Sequence, residues 1–80
     1  MEMDQIKYLN KCIGNGDQLA QNSLFFFENT MWGKEFLRGE KTWEHAVECI
    51  SLDVEDGDYF PAVSQKQARL FVRRLRSVRI

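Results

Sequence analysis

Residues 64–79 constrain the fold more than any other part of the chain. Ser64 and Gln67 stand three positions apart and form a capping box, a pattern that starts helices. The apolar residues that follow recur at spacings of three and four and share one side of a helix: Ala68, Phe71, Val72, Leu75 and Val78. The segment is therefore predicted to be an amphipathic helix.

Three earlier segments also show helical spacing of their apolar residues, over residues 3–13, about 17–32 and 43–51. Asp17 and Thr42 are predicted to cap the second and third of these helices, because their side-chain oxygens can accept backbone N–H groups at a helix start. Glycines stand at several of the breaks. Gly14 and Gly16 are expected to end the first helix, Gly33 to interrupt the second, and Gly39 to close a short stretch over 34–38.

Two segments are also compatible with strands. Residues 23–27 contain three phenylalanines, which favour strands, but no turn signal precedes them, and we prefer a helix. Over residues 50–60, apolar and polar residues alternate and the dipeptide Asp56-Gly57 favours a turn, with Tyr59-Phe60 as the return strand. Pro61 would confine such a hairpin to an edge, and an irregular acidic loop is the alternative.

The predicted fold is mainly α, a single domain over residues 1–80 built as a small bundle of three to four helices. A short β-hairpin around 50–60 is an addition to it, and an α+β fold is the alternative. The 80 residues contain no internal repeat and no linker. A chain of this length buries only about 60–65% of its unfolded surface, so docking on a protein partner or forming a homodimer would complete its core.

The expected location is the cytoplasm. The first four residues include two acids, and no apolar run of signal-peptide length follows them. The longest apolar run, over 24–27, is too short to cross a membrane, and we expect no membrane contact. Cys12 and Cys49 do not form a disulfide framework and are expected to be reduced.

Charge is strongly segregated along the chain, although the formal net charge is only −1. Residues 1–63 hold all twelve acidic side chains and five basic ones, whereas residues 64–80 hold six basic side chains and no acid. The acidic body and the arginine-rich end indicate a partner that is recognised by charge.

The basic side of the 64–79 helix is the first candidate binding surface. It carries five of the six cations: Lys66, Arg69, Arg73, Arg74 and Arg76. Such a face suits an acidic protein surface or the phosphates of a nucleic acid. Residues 63–67 resemble the first turn of a helix-turn-helix recognition helix, although the acids before them would repel DNA. Ion pairs within the molecule are the remaining interpretation.

An acidic surface precedes this helix, formed by Asp53, Glu55, Asp56 and Asp58. Its spacing does not match a calcium-binding EF-hand loop, because Gly57 falls at the fifth position and Ser64 at the twelfth. We expect these acids to serve solubility, a turn or a basic partner.

Catalytic, metal and cofactor sites are not predicted. His45 and Cys49 share a helix face, but the close cysteine pairs of a zinc site are missing and no third catalytic group is in evidence. The glycines match neither a dinucleotide-binding nor a Walker loop.

The chain holds more aromatic rings than a core of this size can easily hide. We expect Phe26, Trp32 or Tyr59 to be exposed as an interface anchor. The predicted function is a small non-enzymatic protein-interaction module. It would be a regulator or inhibitor of the kind that phages and mobile elements carry, docking on a host protein or nucleoprotein complex. The alternative is a small, helix-turn-helix-like DNA-binding regulator that uses residues 64–79.

Overall fold

The structure is a computed structural model that describes residues 4–59 and 63–79. These residues form five helices and no strand: α1 (Asp4–Gly14), α2 (Gln18–Glu28), α3 (Met31–Leu37), α4 (Trp43–Asp56) and α5 (Gln65–Arg76). The mainly α prediction is confirmed. The helix count is five and not three to four, because the segment predicted over about 17–32 ends early and a separate α3 begins.

The predicted helix starts are confirmed by their hydrogen bonds. The Asp17 carboxylate accepts the Ala20 N–H at 2.9 Å, and the Thr42 hydroxyl accepts the His45 N–H at 3.1 Å. The Ser64 hydroxyl accepts the Gln67 N–H at 3.1 Å. Each cap acts within its own four residues, which is why the local sequence was sufficient to predict it.

The break between α2 and α3 lies at Asn29 and Thr30, and the expectation that Gly33 interrupts a helix is wrong. Thr30 is the N-cap of α3: its hydroxyl donates to the Phe27 carbonyl at 2.8 Å and accepts the Gly33 N–H at 3.0 Å. Gly33 lies inside α3 and is buried. A Cβ atom at Gly33 would lie 1.8 Å from the Phe27 carbonyl oxygen, so the glycine lets α3 pack directly on the end of α2.

The hairpin predicted around 50–60 is wrong within the described residues, because α4 continues through Asp56. Ile50 and Val54 are both buried one helical turn apart, while Leu52 between them faces away from the core, so the apparent alternation was part of a helical pattern. Gly57 has φ +72° and caps the C-terminus of α4. Phe60 and Pro61 lie outside the described residues.

Helix α2 is central to the fold and packs against α1, α3 and α5, and α4 packs against α3 and α5. The preference for a helix over 23–27 is confirmed. Three rings meet where these helices converge: Phe27 lies 4.6 Å from Trp43 and 5.7 Å from Phe36, measured between ring centroids. The indole N–H of Trp43 donates to the Leu75 carbonyl at 3.3 Å, which joins the start of α4 to α5. The five apolar residues predicted for the 64–79 helix are all buried, although α5 ends at Arg76 and Val78 follows it.

Candidate functional site

Some arginines of α5 form ion pairs with acids of other helices or loops, and one forms none with the described residues. Arg69 forms a bidentate ion pair with Glu55, with N–O distances of 2.9 Å, and Arg76 pairs with Glu48 at 3.0 Å. Both pairs join α5 to α4. Along α4 the acids run from Glu48 to Glu55, whereas their partners run from Arg76 back to Arg69, so the two helices are antiparallel.

Arg74 makes a third ion pair, on the other side of α5. Its guanidinium lies 3.1 Å from the Asp17 carboxylate, and its side chain is largely buried. The Ala20 N–H and then the Arg74 guanidinium hold the pKa of Asp17 below its ordinary value. Asp17 therefore both caps α2 and joins it to the C-terminal half of α5.

The other α5 cations keep their charge available. Lys66 and Arg73 are exposed, and neither has an ion-pair partner among residues 4–59 and 63–79. Leu70 is also exposed and follows Lys66 by four residues and precedes Arg73 by three. The outer side of α5 is thus a narrow stripe with two unpaired cations around one leucine.

The exposure expected for Phe26 is wrong. Phe26 is only 1% exposed, because it packs on Phe71 of α5 and on Tyr59, with ring centroids 5.4 and 6.1 Å away. Its neighbour Phe25 is 63% exposed, on the side of α2 that faces away from the core. Packing of α2 against helices on two sides buries Phe26 and Phe27, and leaves Phe25 outside.

Trp32 and Tyr59, the other two predicted anchors, are half-buried and line one groove between α3 and the end of α4. The buried side chains of Thr30 and Ile50 lie beneath it. Met31 stands at its rim and is 59% exposed. We call this the aromatic groove, defined by these residues together with Asp53 and Asp58.

Hydrogen bonds hold both rings of the aromatic groove in place. The Trp32 indole N–H donates to the Asp53 carboxylate, with 2.6 Å between the nitrogen and the oxygen. The Tyr59 hydroxyl donates to the Val63 carbonyl at 2.7 Å. The Lys41 ammonium lies 5.1 Å from the centroid of the Trp32 ring and pairs with Glu35 at 3.2 Å. One wall of the groove therefore already contacts a cation.

The acidic surface predicted from sequence is split by the fold. Asp53 and Asp58 belong to the aromatic groove, whereas Glu55 faces α5 and Asp56 is exposed. The Asp58 carboxylate makes no hydrogen bond or ion pair with the described part of the chain. It gives the groove a negative charge that is open to a partner.

The described ranges bring no three His, Cys, Asp or Glu side chains together in a way that could hold a metal ion. His45 is exposed and Cys49 half-buried on α4.

Sequence reasoning missed the exposed Met31, Leu52 and Leu70. For Leu52 and Leu70, the available signal was an apolar residue on the polar side of its helix. The exposure of Met31 could not be predicted from such a pattern, because the face on which Met31 lies depends on where α3 starts.

No protein family, curated protein or solved structure matches this chain. None of the helices in the described residues is long and apolar enough to cross a membrane.

Proposed function

We propose that this protein is a non-enzymatic protein-interaction module and that the aromatic groove is its docking site. The supporting observation is the meeting of Trp32, Tyr59 and the exposed Met31 around the Asp58 carboxylate, which lacks a partner in the described residues. Aromatic and methionine side chains are enriched at the centres of protein interfaces. The groove offers them together with a charge that selects the partner.

The partner segment should carry an arginine or lysine next to an apolar residue. A cation entering the groove would meet the Asp58 carboxylate and the rings of Trp32 and Tyr59, a combination of ion pairing and cation–π attraction. The apolar neighbour would cover Met31. Lys41 shows the same chemistry within the molecule, since it contacts the Trp32 ring while pairing with Glu35.

The arrangement of α4 and α5 favours a protein partner over DNA. Residues 57–64 separate the two helices, whereas helix-turn-helix motifs join theirs with three or four residues. Glu48 and Glu55 stand directly beside α5 and neutralise two of its arginines. A DNA backbone approaching α5 would meet these carboxylates, which repel phosphate. Action as a regulator or inhibitor from a phage or mobile element, in the cytoplasm, stays a prediction.

Affinity capture with matched charge variants tests the groove. The immobilised protein and its Asp58→Lys and Asp56→Lys variants are exposed to host lysate, and bound proteins are quantified by mass spectrometry. Both substitutions reverse one exposed acid near the end of α4, but only Asp58 lines the groove. We expect at least one captured protein whose bound amount falls at least about tenfold with Asp58→Lys, which corresponds to about 1.4 kcal/mol of binding free energy. The Asp56→Lys variant should still bind that protein. Equal retention by both variants would contradict the proposal.

A further inference from the structure

We infer that the outer face of α4 and α5 is a self-association surface, and that its occupant is a second copy of this chain. This face lies across α4 from the aromatic groove, since Asp53 faces α3 while Glu48 and Glu55 face α5. The inference therefore goes beyond the proposed function and depends on different residues.

Each helix presents an exposed leucine to solvent on this face. Leu52 is 57% exposed on the side of α4 opposite the buried Ile50 and Val54. Leu70 is 39% exposed on the side of α5 opposite the buried Ala68 and Leu75. Within the described residues, neither leucine belongs to the buried core.

The charges around the two leucines have opposite sign and the same spacing. On α4, Glu48 precedes Leu52 by four residues, and Glu55 and Asp56 follow it by three and four. On α5, Lys66 precedes Leu70 by four residues and Arg73 follows it by three. The outer side of α4 is therefore complementary in charge to the outer side of α5, with an apolar residue in the middle of each.

A two-fold axis between the helices would bring both complementary surfaces into contact in one dimer. Because α4 and α5 are neighbours, half a turn about an axis that runs between them and parallel to them lays α4 of each copy on α5 of the other. The contact is closed and uses the same patch on both copies. Glu48 and Glu55 are already paired with Arg76 and Arg69. Asp56, Lys66 and Arg73 have no ion-pair partner among residues 4–59 and 63–79, so they supply the charge for the new contacts.

The size of this face predicts a weak dimer. Helices of 14 and 12 residues are each about 20 Å long and together about 20 Å wide, which gives roughly 400 Å² of projected area per copy. Stable interfaces bury about 800 Å² per partner. Association should therefore depend strongly on concentration and weaken with salt.

Sedimentation equilibrium of the full chain, at roughly 20 μM to 1 mM protein and low salt, measures this association. We expect a dimer whose association constant falls at least about tenfold with Arg73→Glu, Lys66→Glu or Asp56→Lys alone. An equimolar mixture of Arg73→Glu and Asp56→Lys should recover the dimer, because each copy then supplies the charge that the other needs. Lys34→Glu and Glu28→Lys are controls, since both side chains are exposed on other helices.

A protein that stays monomeric over this range would overturn the inference and leave the aromatic groove untouched. A dimer that is insensitive to the three α4 and α5 variants would also overturn it, because its interface would lie elsewhere. Circular dichroism establishes that each variant is folded. If Arg73→Glu does not fold, Lys66→Glu tests the same contact. Asp58→Lys should leave the association constant unchanged, which keeps this test separate from that of the groove.

Discussion

The Trp32 indole donates a hydrogen bond to the carboxylate of Asp53, 21 residues further along the chain, at 2.6 Å. The bond ties α3 to α4 and fixes the edge of the ring that borders the aromatic groove. A partner that docks on Trp32 would not have to immobilise it, and the entropy cost of ordering an interface side chain would be reduced. This one pair of residues thus contributes both to the stability of the fold and to the shape of the groove.

Removal of this bond should destabilise the protein. Trp32→Phe keeps a ring but leaves the half-buried Asp53 carboxylate without its donor, and we expect the free energy of unfolding to fall by about 1–3 kcal/mol. Urea denaturation measures it. Asp53→Asn keeps an acceptor oxygen and should cost less. A Trp32→Phe variant as stable as the original would show that the bond contributes nothing.

Gly33 should be among the least replaceable residues of the chain. The Cβ of Gly33→Ala would meet the Phe27 carbonyl oxygen at 1.8 Å, and backbone cannot move aside as a side chain can. We expect a loss of at least about 3 kcal/mol, or no folding, in thermal denaturation followed by circular dichroism. Gly14→Ala is the control: it adds a Cβ to open space in α1 and should be neutral or stabilising. Equal stability of the two variants would contradict the close approach of α2 and α3.

The buried hydroxyl of Ser23 should cost stability. Its Oγ has no hydrogen-bond partner in the described part of the chain, although the residue is fully buried in α2. Ser23→Ala removes an unsatisfied polar group and improves helix propensity, so we expect a gain of about 1–2 kcal/mol in urea denaturation. A destabilised variant would mean that the hydroxyl is bound after all.

Acid should weaken the contact between Asp17 and α5. The Ala20 N–H and Arg74 lower the pKa of Asp17 from its ordinary value of 3.8. The charged carboxylate therefore stabilises the fold fully at pH values above this ordinary pKa. The contribution is lost as the pH falls through the lowered pKa. Hydrogen bonds from Arg69 and Arg38 likewise lower the pKa values of Glu55 and Glu40. The Asp17→Asn variant, which keeps a cap, should lose less stability than the original between neutral pH and pH 3. An unchanged acid dependence in urea melts would contradict this assignment.

The sequence predicted those elements whose signals are local. Asp17, Thr42 and Ser64 each cap a helix through bonds to residues three positions away. The hairpin prediction around 50–60 was wrong for a related reason. Gly57 ends α4 in the left-handed conformation that a turn would also use. Local signals of this kind cannot separate a helix end from a turn when the apolar pattern before them is short.

The sequence was sufficient to predict individual residues of the candidate site, but not that they lie together. Trp32, Tyr59, Asp53 and Asp58 were each singled out from sequence, but α3 must pack on α4 before they share a groove. Phe26 was misplaced because consecutive helical residues point about 100° apart, and only the neighbours of α2 decide which of them are buried. The ion pairs of α5 with α4 likewise depend on the antiparallel register of the two helices.

Site-specific photo-crosslinking in the cells in which the protein naturally occurs tests the central claim most directly. A photoreactive phenylalanine analogue replaces Met31 at the rim of the aromatic groove, or Leu37, which is exposed at the other end of α3. We expect a crosslink from position 31 to one protein, at a segment that contains arginine or lysine. Asp58→Lys should abolish this crosslink, and position 37 should not form it. Crosslinking to nucleic acid alone, or with equal yield from both positions, would contradict the account.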